Sequence, residues 1–172
     1  VFKNIQSKGF TEFTDVQKIV NEQKNKNRDL LVSSKTGSGK TLAYSLSITD
    51  KVLNTKIHLN STPTGLIVTP TRELALQVFQ ETLWLFENTG LIAVTSIGGM
   101  DINKERNKIS KKFNLLIGTP GRINDHLRKK ILNLSQLSFL VLDEADEMLD
   151  LGFKEDLESI IKSSPKNTRK LL

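Results

Sequence analysis

The 172 residues contain no cysteine. Disulfides, iron–sulfur clusters and thiolate zinc sites are therefore excluded. Histidine is nearly as scarce. His58 and His126 lie far apart in sequence, and each is expected to be an ordinary surface or core residue rather than a metal ligand. No apolar stretch reaches the length of a membrane span. An initiating methionine is missing too: the chain opens on Val1 and closes on Lys170-Leu171-Leu172, just as an apolar run begins. It reads as a piece of something longer, which leaves a targeting peptide open.

What is present is ordinary for a soluble domain, with 37% hydrophobic and 26% charged residues. The length suits one domain with a real core and is too short for two. The net charge of +6 and pI of about 9.5 point to a polyanionic partner, most often nucleic acid.

Short apolar runs alternate with longer stretches of helical period. Strands are predicted at Asp29–Ser33, Gly65–Thr69, Ile92–Ile97, Asn114–Gly118 and Phe139–Leu142, and another begins at Arg169–Leu172. Between them the spacing predicts helices over Lys40–Leu53, Arg72–Glu87, Ile102–Ser110, Arg122–Lys129 and Glu155–Lys162. A further helix at about Thr14–Glu22 precedes the first strand. This is the pattern of an α/β domain, a parallel sheet with helices on both faces and right-handed connections. The Asn/Lys-rich stretch Asn21–Arg28 reads as a solvated helix end and loop.

In such a sheet, ligands gather at the carboxyl ends of the strands. The residues following the predicted strands are Ser34–Thr41, then Pro70-Thr71-Arg72-Glu73, Gly98-Gly99, Thr119-Pro120-Gly121-Arg122 and Asp143-Glu144-Ala145-Asp146. Glycines, hydroxyls and charges thus concentrate along one edge, which has room for more than one ligand.

The stretch Ser34–Thr41 has the chemistry of a phosphate loop: small residues free backbone N–H groups to point inward, ahead of a helix N-terminus. Gly37 and Gly39 permit the required backbone angles. Lys40 can reach the β- and γ-phosphates, and the Thr41 hydroxyl can ligate Mg²⁺. The usual pattern begins with glycine where this chain has Ser34, so a plain glycine-rich turn is the competing reading. At the end of the Phe139–Leu142 strand, Asp143 is placed to hold Mg²⁺ through water, and Glu144 to polarise or deprotonate the attacking water. Acids favoured by a helix dipole are the plainer alternative there. Together the two stretches imply triphosphate hydrolysis. A guanine-reading N-K-x-D element is missing, its nearest match being Asn103-Lys104-Glu105-Arg106, so guanine is disfavoured.

The series Thr36-Gly37-Ser38-Gly39-Lys40-Thr41, Pro70-Thr71-Arg72-Glu73-Leu74-Ala75, Gly98-Gly99, Thr119-Pro120-Gly121-Arg122 and Asp143-Glu144-Ala145-Asp146 resembles, in order and rough spacing, the first RecA-like domain of a DEAD-box RNA helicase. The stretch DEADEMLDLGF, through Phe153, is similar to the family's extended form of the last motif, and the resemblance covers essentially the whole chain. It implies a three-layer αβα RecA-like fold, ATP and Mg²⁺ as cofactors, RNA as partner and a cytoplasmic location without membrane association. By resemblance the ATP-binding residues are Phe10, Thr14, Gln17, Ser34, Thr36, Gly37, Ser38, Gly39, Lys40 and Thr41. Gln17 would bond the adenine edge, and Thr14 would support both it and the loop. Lys40, Asp143, Glu144 and Asp146 would be catalytic, with Thr41 and Asp143 at the metal. Phe13 stands where the family has proline, which presets the entry to the helix. By itself, Gln17 reads as a polar residue on an exposed helix face.

The same resemblance assigns Pro70, Thr71, Arg72, Gly98, Gly99, Thr119, Pro120, Gly121 and Arg122 to a groove for the sugar–phosphate backbone of one RNA strand. Arginine, hydroxyls and helix N-termini suit phosphate contacts and read base edges poorly, so sequence specificity should be low. An Arg72-Glu73 ion pair and a simple turn at Thr119-Pro120-Gly121 are the plain alternatives. Lys104, Arg106, Lys108, Lys111, Lys112 and Arg128-Lys129-Lys130 are expected on solvated faces. Phe79, Trp84 and Phe86 are expected to pack in the core and its rim.

The family continues with a Ser-Ala-Thr motif and a second RecA-like domain carrying arginine fingers. Neither falls within these 172 residues, so the isolated chain is expected to bind nucleotide weakly, hydrolyse it negligibly and unwind nothing. An ATP-gated RNA clamp uses the same motifs and is the alternative to a helicase. A DNA-directed ATPase is disfavoured by Gln17 and Thr119–Arg122, and an inactive homologue by the presence of Lys40, Thr41, Asp143 and Glu144.

Overall fold

The computed structural model describes residues 1–22, 25, 27–35, 37–54, 62–99 and 101–172. The helices are α1 (Phe2–Ser7), α2 (Asp15–Asn21), α3 (Lys40–Asn54), α4 (Arg72–Leu85), α5 (Ile102–Ile109), α6 (Pro120–Arg128), α7 (Ala145–Asp150) and α8 (Lys154–Ser163). The strands are β1 (Gly65–Val68), β2 (Ala93–Ser96), β3 (Leu115–Gly118), β4 (Phe139–Leu142) and β5 (Arg169–Leu171). They form one parallel sheet in the order β2-β3-β1-β4-β5.

Strand residues alternate between two cores, as a sheet covered on both faces requires. Leu66, Val68, Leu116, Leu140 and Leu142 pack with Ile109 of α5, Ile123 of α6, Met148 of α7 and Ile160 of α8. Ile67, Leu115, Ile117, Phe139 and Val141 pack with Ile48 and Val52 of α3 and Val78 of α4. This is the three-layer arrangement anticipated above. A small third cluster seats Ile5 of α1 against Leu85 and Phe86. Two strand glycines have steric reasons: a Cβ on Gly65 would run into the Phe139 ring, and one on Gly118 into the Ser96 carbonyl.

The predicted strand Asp29–Ser33 is not a full sheet member. Leu30 bridges Leu171 in parallel, and the ladder consists of Leu30 N–H to Lys170 O at 2.9 Å, Leu172 N–H to Leu30 O at 2.9 Å and Val32 N–H to Leu172 O at 2.7 Å. Leu31 is 84% exposed. Among the described residues, the segment lies beside β5 and pairs with residues 170–172. Arg169 secures the same region: its Nε donates to Arg28 O, Nη2 to Asn25 O and Nη1 to Ser47 Oγ, at 2.9, 2.9 and 2.7 Å. Helices α1 and α7 were not anticipated. Each has six residues, too few to repeat a helical period. No helix among the described residues is long and apolar enough to cross a membrane.

Candidate functional site: a nucleotide pocket and a groove on one sheet edge

The phosphate loop sits at the start of α3 and is tied down from two directions. Gly37 and Gly39 take φ of +78° and +87°, where side chains are strained. Ser34 is not among the residues of positive φ, so the position where the strict pattern asks for glycine does not need one here. Instead its hydroxyl lies 2.9 Å from that of Ser38 and closes the loop. Thr14 caps α2, accepting from Gln17 N–H, and its own hydroxyl donates to Ser38 O at 3.0 Å. Gln17 completes the capping box by accepting from Thr14 N–H at 3.0 Å, and its amide donates to Gly39 O at 3.3 Å. Gln17 is only 6% exposed, which removes the reading of an exposed helix residue. A Cβ at Gly39 would collide with its amide. Thr36 lies outside the described residues.

The helix entry forms without the family's proline. Phe13 rests edge-on against Phe2 at 6.5 Å, and Phe10 stacks on Trp84 at 6.4 Å. Phe86 is buried, whereas Phe79 and Trp84 are partly covered, as expected of core and rim.

A cavity of about 300 Å³ joins the loop to the end of β4, lined among others by Ser34, Lys40, Tyr44, Asp143, Glu144 and Asp146. Lys40 Nζ donates to Ser34 O at 2.9 Å and pairs with Glu144 Oε1 at 3.3 Å. Glu144 has the left-handed backbone, φ 55° and ψ 52°, uncommon for a residue with a Cβ and concentrated at functional sites. Buried Asp143 accepts a 3.1 Å hydrogen bond from the Tyr44 hydroxyl. Burial pushes the Asp143 carboxyl above its usual range. The Glu144 charge adds to that rise, while the Tyr44 bond and Lys40 oppose it. Tyr44 is raised by its own burial and by Asp143, and the Thr41 side chain opposes that rise. The Tyr44–Asp143 bond is a contact that sequence reading missed. Hydroxyl and carboxylate are the hard oxygen donors Mg²⁺ takes, and a buried carboxylate held above its usual range suits an ion whose other ligands are phosphate and water. Asp146 is exposed in the first turn of α7.

The groove residues gather at the ends of β1, β3 and β2. Pro70 is buried, and Thr71 caps α4 by accepting from Leu74 N–H at 3.2 Å. Arg72 lies over Gly98 and Gly99, where a Cβ on Gly99 would strike its guanidinium. Thr119 N–H donates to Ser96 O at 3.1 Å, and Pro120 occupies the first turn of α6, followed by Gly121. Arg122 is largely covered, and its Nε donates to Glu105 Oε2 at 2.8 Å. His126, fully buried, places Nε2 at 2.9 Å from the same oxygen. It is thus a core residue, as expected; His58 lies outside the described residues. Lys104, Arg106, Lys108, Lys111, Lys112 and Arg128–Lys130 are exposed.

Glu105 is the second residue that the sequence reading passed over, seen only as part of a failed guanine motif. The available signal was its place between Ile102 and Ile109, on the inward stripe of α5. It is 3% exposed, and its Oε1 accepts from Ile97 N–H at 3.0 Å. Burial raises its carboxyl, but bonds from His126, Arg122 and Ile97 outweigh this and leave it below the usual range.

The family model described as DEAD/DEAH box helicase matches residues 14–172. The DEAD-box ATP-dependent RNA helicase CshA of Bacillus cereus is 37% identical over 172 residues, all of this chain and 32% of that protein. The ATP-dependent RNA helicase DBP4 of Vanderwaltozyma polyspora is 41% identical over 171 residues, 99% of this chain and 22% of that protein. The crystal structure of a hypothetical ATP-dependent RNA helicase from Sulfolobus tokodaii superposes with a TM-score of 0.88 at 29% identity, covering 99% of this chain and 48% of that one. The chain spans a third or less of these two curated relatives. From the phosphate loop to the acids after β4, the chain belongs to the DEAD/DEAH box helicase family.

Proposed function

We propose that this chain is the first RecA-like domain of an ATP-dependent RNA helicase that binds ATP-Mg and one RNA strand and remodels short duplexes. The carrying observation is the division of one sheet edge. The phosphate loop meets Asp143 and Glu144 beside β4, while Arg72, Gly98, Gly99 and the Thr119–Arg122 turn gather beside β1, β3 and β2.

In this reading, Lys40 leaves Ser34 O and Glu144 for the β- and γ-phosphates, and the loop N–H groups hold the phosphate oxygens. Gln17, already oriented by Thr14 and Gly39, offers its amide to the adenine edge, and Phe10 belongs to the same nucleotide-binding segment. Thr41 and Asp143 would hold Mg²⁺, which would supply charge stabilisation at the transferring phosphoryl group. Once Lys40 has moved, Glu144 is released to orient or deprotonate the attacking water. Asp146, exposed in the first turn of α7, would contact the Ser-Ala-Thr segment that the family resemblance implies for the complete protein. A second RecA-like domain would close the site and supply arginine fingers. On the groove side, Pro70, Thr71, Arg72, Gly98, Gly99, Thr119, Pro120, Gly121 and Arg122 contact phosphates and sugars without reading bases.

The test is the ATPase rate of the complete gene product alone, with RNA and with DNA. Stimulation by RNA alone is expected. Equal stimulation by DNA, or indifference to both, would overturn the RNA assignment and leave the phosphate-loop chemistry.

A further inference from the structure

A buried acid beside a groove for a polyanion is unfavourable on charge alone, and Glu105 is such an acid. Its carboxylate is withdrawn from solvent behind the Gly98-Gly99 turn. Carboxylate burial costs several kcal/mol unless each oxygen is bonded, and a buried ion pair is weak grounds for stability as such. The partners suggest another purpose. Oε1 takes the N–H of Ile97, the residue immediately ahead of Gly98. Oε2 takes Nε of Arg122 in the first turn of α6 and Nε2 of His126 one turn further on. A carboxylate only accepts, so His126 carries its proton on Nε2. Its Nδ1 has no hydrogen-bond partner among the described residues, so the ring has no second polar anchor there. One side chain thus spans α5, the end of β2 and the start of α6. The two backbone turns assigned above to RNA are joined through it. Arg72 also lies against the Gly98-Gly99 turn.

We propose that Glu105 is a positioning residue for RNA: it holds the Arg122 guanidinium and the Gly98-Gly99 turn at the spacing of a single strand's phosphates. This rests on the RNA reading above. It also sets the sign of an effect. Removing an acid near the groove should strengthen binding to a polyanion if charge alone matters. If Glu105 acts by position, removal weakens binding.

The experiment measures affinity for a short single-stranded RNA, in the complete protein with a non-hydrolysable ATP analogue, across a salt series. The variants are Glu105→Gln, Arg122→Ala and both together. Glu105→Gln can keep the Ile97 bond through its amide oxygen but cannot hold Arg122 and His126 with the other atom. Each single variant is expected to weaken binding about tenfold, the loss of one charge-assisted hydrogen bond. Each should also flatten the dependence of log affinity on log salt by about 0.7, the value of one phosphate contact on a single strand. The double variant should bind no more weakly than Arg122→Ala, because both remove one interaction. If Arg122→Ala weakens binding while Glu105→Gln leaves it equal or stronger, the positioning role is overturned. Multiplying effects in the double variant, or a loss confined to thermal stability, overturn it equally. An unaltered protein that does not bind RNA overturns the RNA reading and this inference with it.

Discussion

Two carboxylates on the same sheet edge are displaced in opposite directions, and their stability effects carry opposite signs. Burial holds Asp143 above its ordinary value of 3.8, so the fold disfavours its ionised form. The resulting destabilisation is absent below the ordinary value and grows as pH rises through the raised folded value. Asp143→Asn is therefore expected to raise the melting temperature of the nucleotide-free protein at pH 7 by about 2 °C or more, the scale of a 1 kcal/mol gain in a domain of this size. With ATP-Mg added the order should reverse, because only the unaltered protein gains ligand stabilisation. A melting temperature that falls in the nucleotide-free variant would contradict the account. Glu105 is held below its ordinary value of 4.5, so its contribution is present above that pH and lost as pH falls through the lower folded value. Glu105→Gln should be less stable than the unaltered protein at pH 7, with the gap narrowing below about pH 4.5 in acid-unfolding curves. Tyr44→Phe leaves buried Asp143 Oδ2 without its donor and should cost about 1–3 kcal/mol in urea unfolding.

At the scale of elements, α2 exists partly to brace the phosphate loop. Its capping pair, Thr14 and Gln17, also bonds Ser38 O and Gly39 O. Thr14→Ala removes a cap worth about 1 kcal/mol and a brace on the loop together. Urea unfolding should show that loss, and nucleotide affinity should fall beyond what stability alone explains; unchanged nucleotide affinity would uncouple the helix from the loop. Much of this level was legible in the sequence. The runs at Gly65, Asn114 and Phe139 are strands because both faces are buried, which makes them continuously apolar. The phosphate loop, the acids after β4 and the groove turns announced themselves through residue types with few other uses at strand ends. Pairwise contacts did not. Tyr44 looks like core until its hydroxyl is seen against Asp143, and Glu105 looks like solvated charge until α5 is docked. Asp29–Ser33 has the apolar run of a strand, and among the described residues it pairs with residues 170–172 through three backbone hydrogen bonds.

For the molecule as a whole, the net charge of +6 favours a polyanion but does not choose one. Chemistry is expected to need closure by a second domain. We therefore expect these 172 residues alone to turn over ATP negligibly, with or without RNA, in a phosphate-release assay where the complete gene product is active. Robust turnover by the short chain would contradict that expectation. The seat of the phosphate loop also has a consequence in time. The extended segment leading into the loop finds its ladder partners in Lys170 and Leu172, and Arg169 reaches back to Asn25, Arg28 and Ser47. Polypeptides leave the ribosome amino end first. The loop is therefore made early but anchored late: the nascent chain can complete this seat only after residues 169–172 have emerged. Until then the residues of the loop are present without the frame that fixes the segment leading into it.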